Sequence, residues 1–557
     1  MASPHRSGGD SMNDRSDVIG AVSGPGDNPN EFLFVTPEDQ AVKTGEFITY
    51  TVTVEGESRD VFARVTNREQ IRGLPDTFLA DPAVAPETIA ATLGVPHDDT
   101  DLYQLTAMVI GYYDTMMSTF ANPRQLPQTG TPLRIAPAEQ LEAVLPNLGV
   151  DSTTADVAER DGLAHTGWLL NRPTGEVNIR MPIDEFASTH LAILASTGSG
   201  KSYTSGVLIE EMMLPSSRAA LLIFDPHGEY DTLSEMQTHP DFQGDNGYQP
   251  DVVYFDQDRL RIRISELELG DIISILDNPS DRMQERLAGG WRAMQNRDSR
   301  TWGVDELIEQ MYTRYGEDDT SVGGLEWRLR RSIQRNELFQ PEANVPLDEI
   351  VAAGQCTVLN METLDSRNQQ LIATVLLRRI YRERLNAMRG RESDIECPVF
   401  ALFEEGHRFA PGSGSAPSIG ILRTITSEGR KFGFGIGIIS QRPSKIDQDV
   451  LSQCGTQITM KIRNPTDQEA IKKSVEAAGE DVLRELPGLT PGQAVLSGDA
   501  MNTPALVQIR KRLTDHGAGS LSATEQWSET YDRQQSQPVR SEPADFGGGE
   551  STGFEEL

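Results

Sequence analysis

The chain has 557 residues, too long for a single core and enough for three or four domains at about 150 residues each. Asp and Glu number 84 against 50 Lys and Arg, a net charge of −34, and only eight of the basic residues are lysines. Mean hydropathy is −0.42. There is no apolar run long enough to form a membrane-spanning helix, and the three cysteines stand far apart without CxxC spacing. A helical membrane protein, a disulfide framework and a zinc knuckle are therefore excluded.

The acidic residues are spread through every segment rather than gathered in one tail. A lysine-poor acidic surface keeps a protein hydrated in concentrated salt, so the composition predicts a halophilic, cytoplasmic protein. On charge alone a nucleic-acid partner is disfavoured. In molar salt, however, the Debye length contracts to about 3 Å, and net charge no longer discriminates between partners.

In chain order, residues 1–16 are rich in Ser, Gly and Asp and lack the apolar run of a secretory signal. They and residues 513–557 predict disordered tails. Residues 17–178 read as a small N-terminal β-barrel. Ile48, Tyr50, Val52 and Val54 alternate with threonines, Glu55-Gly56-Glu57 turns the chain, and Val61, Ala63 and Val65 alternate again. Val18–Val22, Phe32–Val35, Ala107–Tyr113 and Thr131–Ile135 are further strands, with helical detours around 85–94 and 137–144.

Residues 179–512 change style. Leu191–Ala195, Ala219–Phe224, Val252–Phe255, Thr357–Met361, Val399–Phe403, Phe434–Ile439 and Gln457–Ile462 are unbroken apolar runs, most of them separated by helical patterns. Strands without alternation are buried on both faces, which predicts the parallel sheet of an α/β fold. Residues 258–350 read instead as a helical insertion, with helices at Ile273–Leu276, Met283–Met294 and Val304–Tyr315.

The segment His190–Ser202 has the strand, glycine loop and helix of a P-loop, with Ala195 in place of its first glycine. Thr197, Gly198, Ser199, Gly200, Lys201, Ser202 and Tyr203 form the expected nucleotide-binding set. Backbone N–H groups there cradle phosphates, Lys201 reaches the β and γ phosphates, and Ser202 holds Mg²⁺. The apolar strand Val399–Phe403 ends in Glu404 and Glu405, as a Walker B strand would. Glu404 would hold Mg²⁺ through water and Glu405 would activate the attacking water.

Gln441, at the tip of Phe434–Ile439, is a candidate γ-phosphate sensor. Arg430, on a glycine-flanked turn, would serve a neighbouring subunit as an arginine finger if the protein forms a ring. Asp225, after Ala219–Phe224, would touch the catalytic water or the Mg²⁺ shell. The set predicts ATP and Mg²⁺ as cofactors. Arg328, Arg331 and Arg335 share a helical face, as do Arg378, Arg382 and Arg389; these stripes either touch DNA phosphates or are solvated faces. Leu496-Ser497-Gly498-Asp499 is similar to an ABC signature but follows the Walker B strand, and that order rejects an ABC ATPase.

Together, HLAILASTGSGKS, FDPHGEY, ALFEEGHRF, EGRKFGFGIGIISQRPSKID and LPGLTPGQAVLSGDAMNTPALVQI resemble the HerA branch of the HerA–FtsK superfamily across about residues 17–512. The Glu-Glu pair is the most telling feature, since most P-loop motors place Asp before the catalytic Glu. The resemblance implies a RecA-like core behind a small β-barrel and a homo-hexameric ring around double-stranded DNA. It also implies a NurA-type nuclease docked on the barrel for DNA-end resection. Alternatives are an ATPase of a conjugation or defence system, or a nucleotide-dependent switch without motor action.

Overall fold

The computed structural model describes residues 18–37, 42–54, 56–70, 102–114, 116–117, 119–147, 162–276, 278–297, 301–342, 344–414, 416–474, 480–515 and 523–536. The expected tail at 1–16 and the expected helical detour at 85–94 lie outside them.

The first strands are Val18–Pro25 (β1), Glu31–Pro37 (β2), Phe47–Val54 (β3), Glu57–Gln70 (β4), Leu102–Asp114 (β5), Thr119–Ala121 (β6) and Pro132–Ile135 (β7). They run in the order β2-β1-β7-β3-β4-β5-β6, and β2 pairs back onto β5. Six strands thus close into a barrel, which removes the open edges a small sheet would expose. Alternation drives this: Phe32 and Phe34 of β2 point into a core with Ile48, Tyr50, Val61 and Leu105. The long β4 and β5 shift register at Phe62/Ala63 and Val65/Asn67, and such bulges bend strands enough to wrap. A helix at Ala138–Val144 (α1) follows.

The second sheet has eleven strands: Leu163–Leu169 (β8), Asn178–Pro182 (β9), Leu191–Leu194 (β10), Leu221–Asp225 (β11), Asp251–Phe255 (β12), Gln355–Asn360, Val399–Phe403, Phe434–Ser440, Thr456–Met460, Gln493–Gly498 and Ala505–Ile509. Before the last six comes a parallel pair, Ile262–Arg263 (β13) with Phe339–Gln340 (β14), so those six are β15 to β20. The order is β12-β15-β11-β16-β17-β10-β18-β19-β20-β8-β9. From β12 to β18 neighbours are parallel; from β18 to β9 they are antiparallel. All seven apolar runs are strands of the parallel part. The sequence reading assigned residues 163–178 to the barrel, whereas β8 and β9 extend this second sheet.

Successive residues alternate between the sheet's two faces. Leu194, Phe224, Phe403 and Ile438 enter one hydrophobic cluster; Ile193, Ile223, Leu402 and Ile439 enter the other. Both clusters are covered, one by the helix Lys201–Met212 and the other by the insertion and the helix Ser366–Met388. With Ile183–Ser188 as α2, the first of these is α3. The insertion carries Leu269–Ile275 (α4), Asp281–Gln295 (α5), Val304–Tyr315 (α6) and Thr320–Leu329 (α7), and Ser366–Met388 is α8. Its arginine stripes make local contacts. Arg378 pairs with Asp271 at 2.5 Å and Glu268 at 3.2 Å, Arg382 with Glu266 at 3.6 Å, and Arg331 lies over the exposed Trp327 ring.

Two buried polar features brace the sheet. Glu210 and Glu211 at the end of α3 meet Arg510 (3.0 and 2.7 Å) and Arg512 (3.3 Å to Glu210), just past β20. His190, at φ +65°, precedes β10 and accepts the Ile436 N–H on Nδ1 at 3.1 Å. Burial pulls its pKa down to about 4, and a hydrogen bond with the Thr426 backbone opposes this only in part. The unfolded chain therefore binds a proton between pH 6.5 and 4 that the folded chain refuses. Stability contributed here is complete above pH 6.5 and falls as pH drops toward 4. Chemical denaturation at constant salt should show a loss of about 3 kcal/mol over that window. His190→Asn, which tolerates the left-handed backbone, should remove this part of the slope.

Residues beyond 515 form a separate unit in which Ala523–Ser536 is helical, where the sequence reading expected a disordered tail. The segment ATEQWSETYDRQQS contains neither Gly nor Pro, and its propensity allows the helix. Trp527 and Tyr531, one turn apart, are exposed.

Candidate active site

The P-loop strand β10 runs straight into residues 195–200, and α3 starts at Lys201. Gly200 caps the helix at φ +99°, a left-handed conformation that costs glycine nothing, and no side chain closes the helix terminus. Its first N–H groups therefore point into the site, which suits an anion. The loop is held from behind: Ser196 N donates to Lys461 O at 2.9 Å, and Gly492 N to Ser199 O at 3.1 Å. Ala195 is completely buried and its N–H donates to Ser440 O, so replacing the first motif glycine leaves the loop's frame in place.

Strand β17 lies between β10 and the Walker B strand β16. The parallel register brings the C-terminal ends of β10, β17, β16 and β11 to one edge, where open α/β sheets bind ligands. Lys201 Nζ is buried there against Glu404 Oε1, with Glu405 Oε1 at 3.6 Å and Glu229 Oε2 at 3.9 Å. Neither Lys201 Nζ nor Glu404 Oε1 completes a well-angled hydrogen bond. The ammonium is thus crowded by carboxylates yet poorly satisfied, as suits a group that other anionic oxygens would engage.

Glu405 sits at φ +50°, an uncommon left-handed position for a side-chain-bearing residue. That turn sends two successive glutamates to the same site. Gly406 follows because a Cβ there would come within 2.5 Å of Ile438 Cγ2. Gln441 Nε2 donates to Glu405 Oε1 at 2.6 Å, and Thr197 Oγ1 donates to Gln441 Oε1 at 2.5 Å. Gln441 therefore links the P-loop to the proposed base. His407 Nδ1 lies 3.1 Å from Glu405 Oε2 and 3.2 Å from Ser440 Oγ. Burial alone would raise the Glu405 carboxyl, but the His407 hydrogen bond and the Lys201 charge prevail and hold it at about 2.

The FDPHGEY segment enters from the end of β11. Asp225 Oδ1 accepts the N–H groups of His227 (3.1 Å) and Gly228 (2.9 Å), so this carboxylate shapes the loop it starts. Burial raises its pKa, and these N–H groups offset the shift only partly. The loop delivers Glu229 onto Ser202 Oγ and Tyr230 onto Glu404, whose Oε2 accepts the phenol proton at 2.9 Å. Burial raises the phenol further above its ordinary pKa.

Lys201, Ser202, Glu404, Glu405, Thr197 and Gln441 are thus brought together. Tyr203 instead turns away and accepts the Arg512 N–H at 2.7 Å. Arg430 is exposed on the turn before β17, at the opposite end of that strand from Gln441 and roughly 20 Å along it. Sequence reasoning favoured a site role for the Asp225, His227 and Glu229 cluster but gave no specific role to Glu229, and none to Tyr230 or His407. The crowding of ionisable groups in FDPHGEY was the available signal for Glu229 and Tyr230.

The family described as "Helicase HerA, central domain" matches residues 164–380. A probable helicase of Methanocaldococcus jannaschii is 27% identical over 431 residues, covering 73% of this chain and 76% of that protein. A second from the same organism is 26% identical over 539 residues, covering 89% and 96%. The DNA double-strand break repair helicase HerA of Pyrococcus furiosus is 28% identical over 402 residues, covering 63% and 69%. In its P-loop strand, its successive glutamates after β16 and these matches, the chain is similar to the HerA helicases, and residues 164–380 match their central domain.

Proposed function

We propose that this chain hydrolyses ATP to translocate on double-stranded DNA as a homo-hexameric ring. The observation that carries the reading is the convergence of Lys201, Glu404, Glu405 and Gln441 on the open N-terminus of α3. Residues 197–203 receive the phosphates, and Lys201 leaves the carboxylates for the β and γ oxygens.

Ser202 Oγ and Glu404 are the metal-side groups. Among the described residues no three His, Cys, Asp or Glu side chains form a metal cage. One hydroxyl, one carboxylate and substrate oxygens suit Mg²⁺, which keeps much of its water shell. When bound, the ion offsets charge on the terminal phosphates. Glu405 accepts the proton of the attacking water once Lys201 has moved away, and Gln441 senses the γ-phosphate. Arg430, remote from its own chain's phosphate site, acts on a neighbouring subunit.

The names of the relatives support DNA double-strand breaks as the context of action; a NurA-type nuclease on the barrel, as the family resemblance implies, is the proposed partner in resection. The same fold could serve a conjugation or defence system. The net charge of −34 supports action in molar salt. ATP hydrolysis measured in molar KCl with and without linear duplex DNA tests the motor. Stimulation is expected, and a rate indifferent to DNA at every salt concentration would reject translocation. Particle mass should be six times the 61.3 kDa chain. Lys201→Ala should abolish detectable turnover and weaken ATP binding, while the particle mass stays unchanged.

A further inference from the structure

Tyr230 stands behind the site rather than in it. It is 1% exposed, with its ring in the hydrophobic cluster under α3 and its carbonyl accepting the Tyr254 hydroxyl at 2.9 Å. Its own hydroxyl donates to Glu404 Oε2 at 2.9 Å and lies 2.8 Å from Ser205 Oγ. With the phenol proton on Glu404, Ser205 is the donor to Tyr230, and it stands on α3 three residues after Ser202. Glu404 is completely buried, and its other oxygen faces Lys201.

The two oxygens of Glu404 are therefore divided. Oε2 is held from the rear by a phenol, and Oε1 is offered to the phosphate side. Without the phenol, Oε2 would be a buried acceptor lacking its partner, and the carboxylate would turn to share both oxygens with Lys201.

We propose that Tyr230 is a positioning residue for hydrolysis: it donates to Glu404 and accepts the Ser205 hydroxyl proton, so that it fixes the rotation of Glu404 and ties it to the first turns of α3, which also carry Ser202. One hydrogen-bonded chain thereby sets the distance between the metal-side carboxylate and the metal-side hydroxyl. This rests on the reading of the site as an Mg²⁺–ATP centre. It also explains how adjacent glutamates take separate roles, since Glu405 is held by a different pair, Gln441 and His407.

The test uses the full chain and Tyr230→Phe, which keeps the ring and removes only the hydroxyl. At saturating ATP, kcat should fall roughly ten- to hundredfold, the scale of one hydrogen bond to a charged group, with KM little changed. The Mg²⁺ concentration for half-maximal rate should rise several-fold. By calorimetry, ADP affinity with Mg²⁺ should weaken while Mg²⁺-free ADP affinity stays the same. Ser205→Ala should shift the Mg²⁺ dependence in the same direction by less, and the double variant should be no worse than Tyr230→Phe, because both act on one chain.

A Tyr230→Phe protein with native kcat and native Mg²⁺ dependence overturns the inference. Should that variant fold poorly, Ser205→Ala with unaltered Mg²⁺ dependence overturns it equally. A native protein with no Mg²⁺-dependent hydrolysis rejects the underlying reading of the site, a result distinct from either.

Discussion

Glu405→Gln is expected to lower ATP turnover by about 10²–10⁴-fold while nucleotide binding survives. The substitution keeps the shape and the hydrogen-bonding reach toward Gln441, and removes the ability to take a proton. The native carboxylate is held at about 2 by His407 and Lys201 against the effect of burial, so it is ionised throughout the working pH range. A base so acidic is a poor one, since proton transfer is fastest when its pKa lies near the operating pH. Under the proposed function, departure of Lys201 to the phosphates would remove one of the charges that depress it, leaving those of His407 and His227. In that proposal the site would strengthen its base only when substrate is present. Single-turnover hydrolysis together with equilibrium ATP binding measures both halves. Near-native turnover in Glu405→Gln would move the base elsewhere, with Glu404 the nearest carboxylate.

The largest stability effect is expected at Arg510, remote from the chemistry. Arg510→Met should destabilise the fold by about 3–5 kcal/mol at neutral pH, the scale for removing one partner from a buried ion pair. Its guanidinium serves Glu210 at 3.0 Å and Glu211 at 2.7 Å, with those side chains 0% and 7% exposed. Glu210 would keep Arg512 and the N–H groups of Leu513 and Thr514. Glu211 would keep only the His165 N–H among its described partners. Burial already raises the Glu211 carboxyl above its ordinary range, with Arg510 opposing. In the variant the folded state should bind a proton there that the unfolded chain releases. Stability should then recover as pH falls toward the ordinary carboxylate range, opposite in sign to the His190 effect. Urea unfolding at pH 8 and 5 at constant salt reads both. A loss under about 1 kcal/mol at pH 8 would mean that the network relaxes around the missing cation.

Local pattern made the nucleotide half of the site legible. An apolar strand feeding Gly198–Ser202, a second ending in Glu404-Glu405 and a third ending in Gln441 are short, contiguous signals. Once they are placed in a parallel sheet, chain direction sends all three tips to one edge. The barrel strands were legible for a similar reason, since period-2 alternation marks one buried face. The antiparallel extension by β8, β9, β19 and β20 was not. A strand's own residues state how it is buried but not which strand it joins, and β8 pairs with β20 across more than three hundred residues.

By itself, then, the sequence determined the P-loop strand and loop, the strand that ends in Glu404 and Glu405, and the presence of a barrel before an α/β core, because each is written in neighbouring residues. Only the tertiary structure decided that Tyr230 grips Glu404, that Glu229 reaches Ser202, that Tyr203 faces Arg512, and that Arg430 stands far from its own P-loop. Those facts depend on which strand ends meet and which way a loop turns. Burial, strand order and backbone hydrogen bonds across the whole sheet fix them together, and no stretch of sequence records that sum.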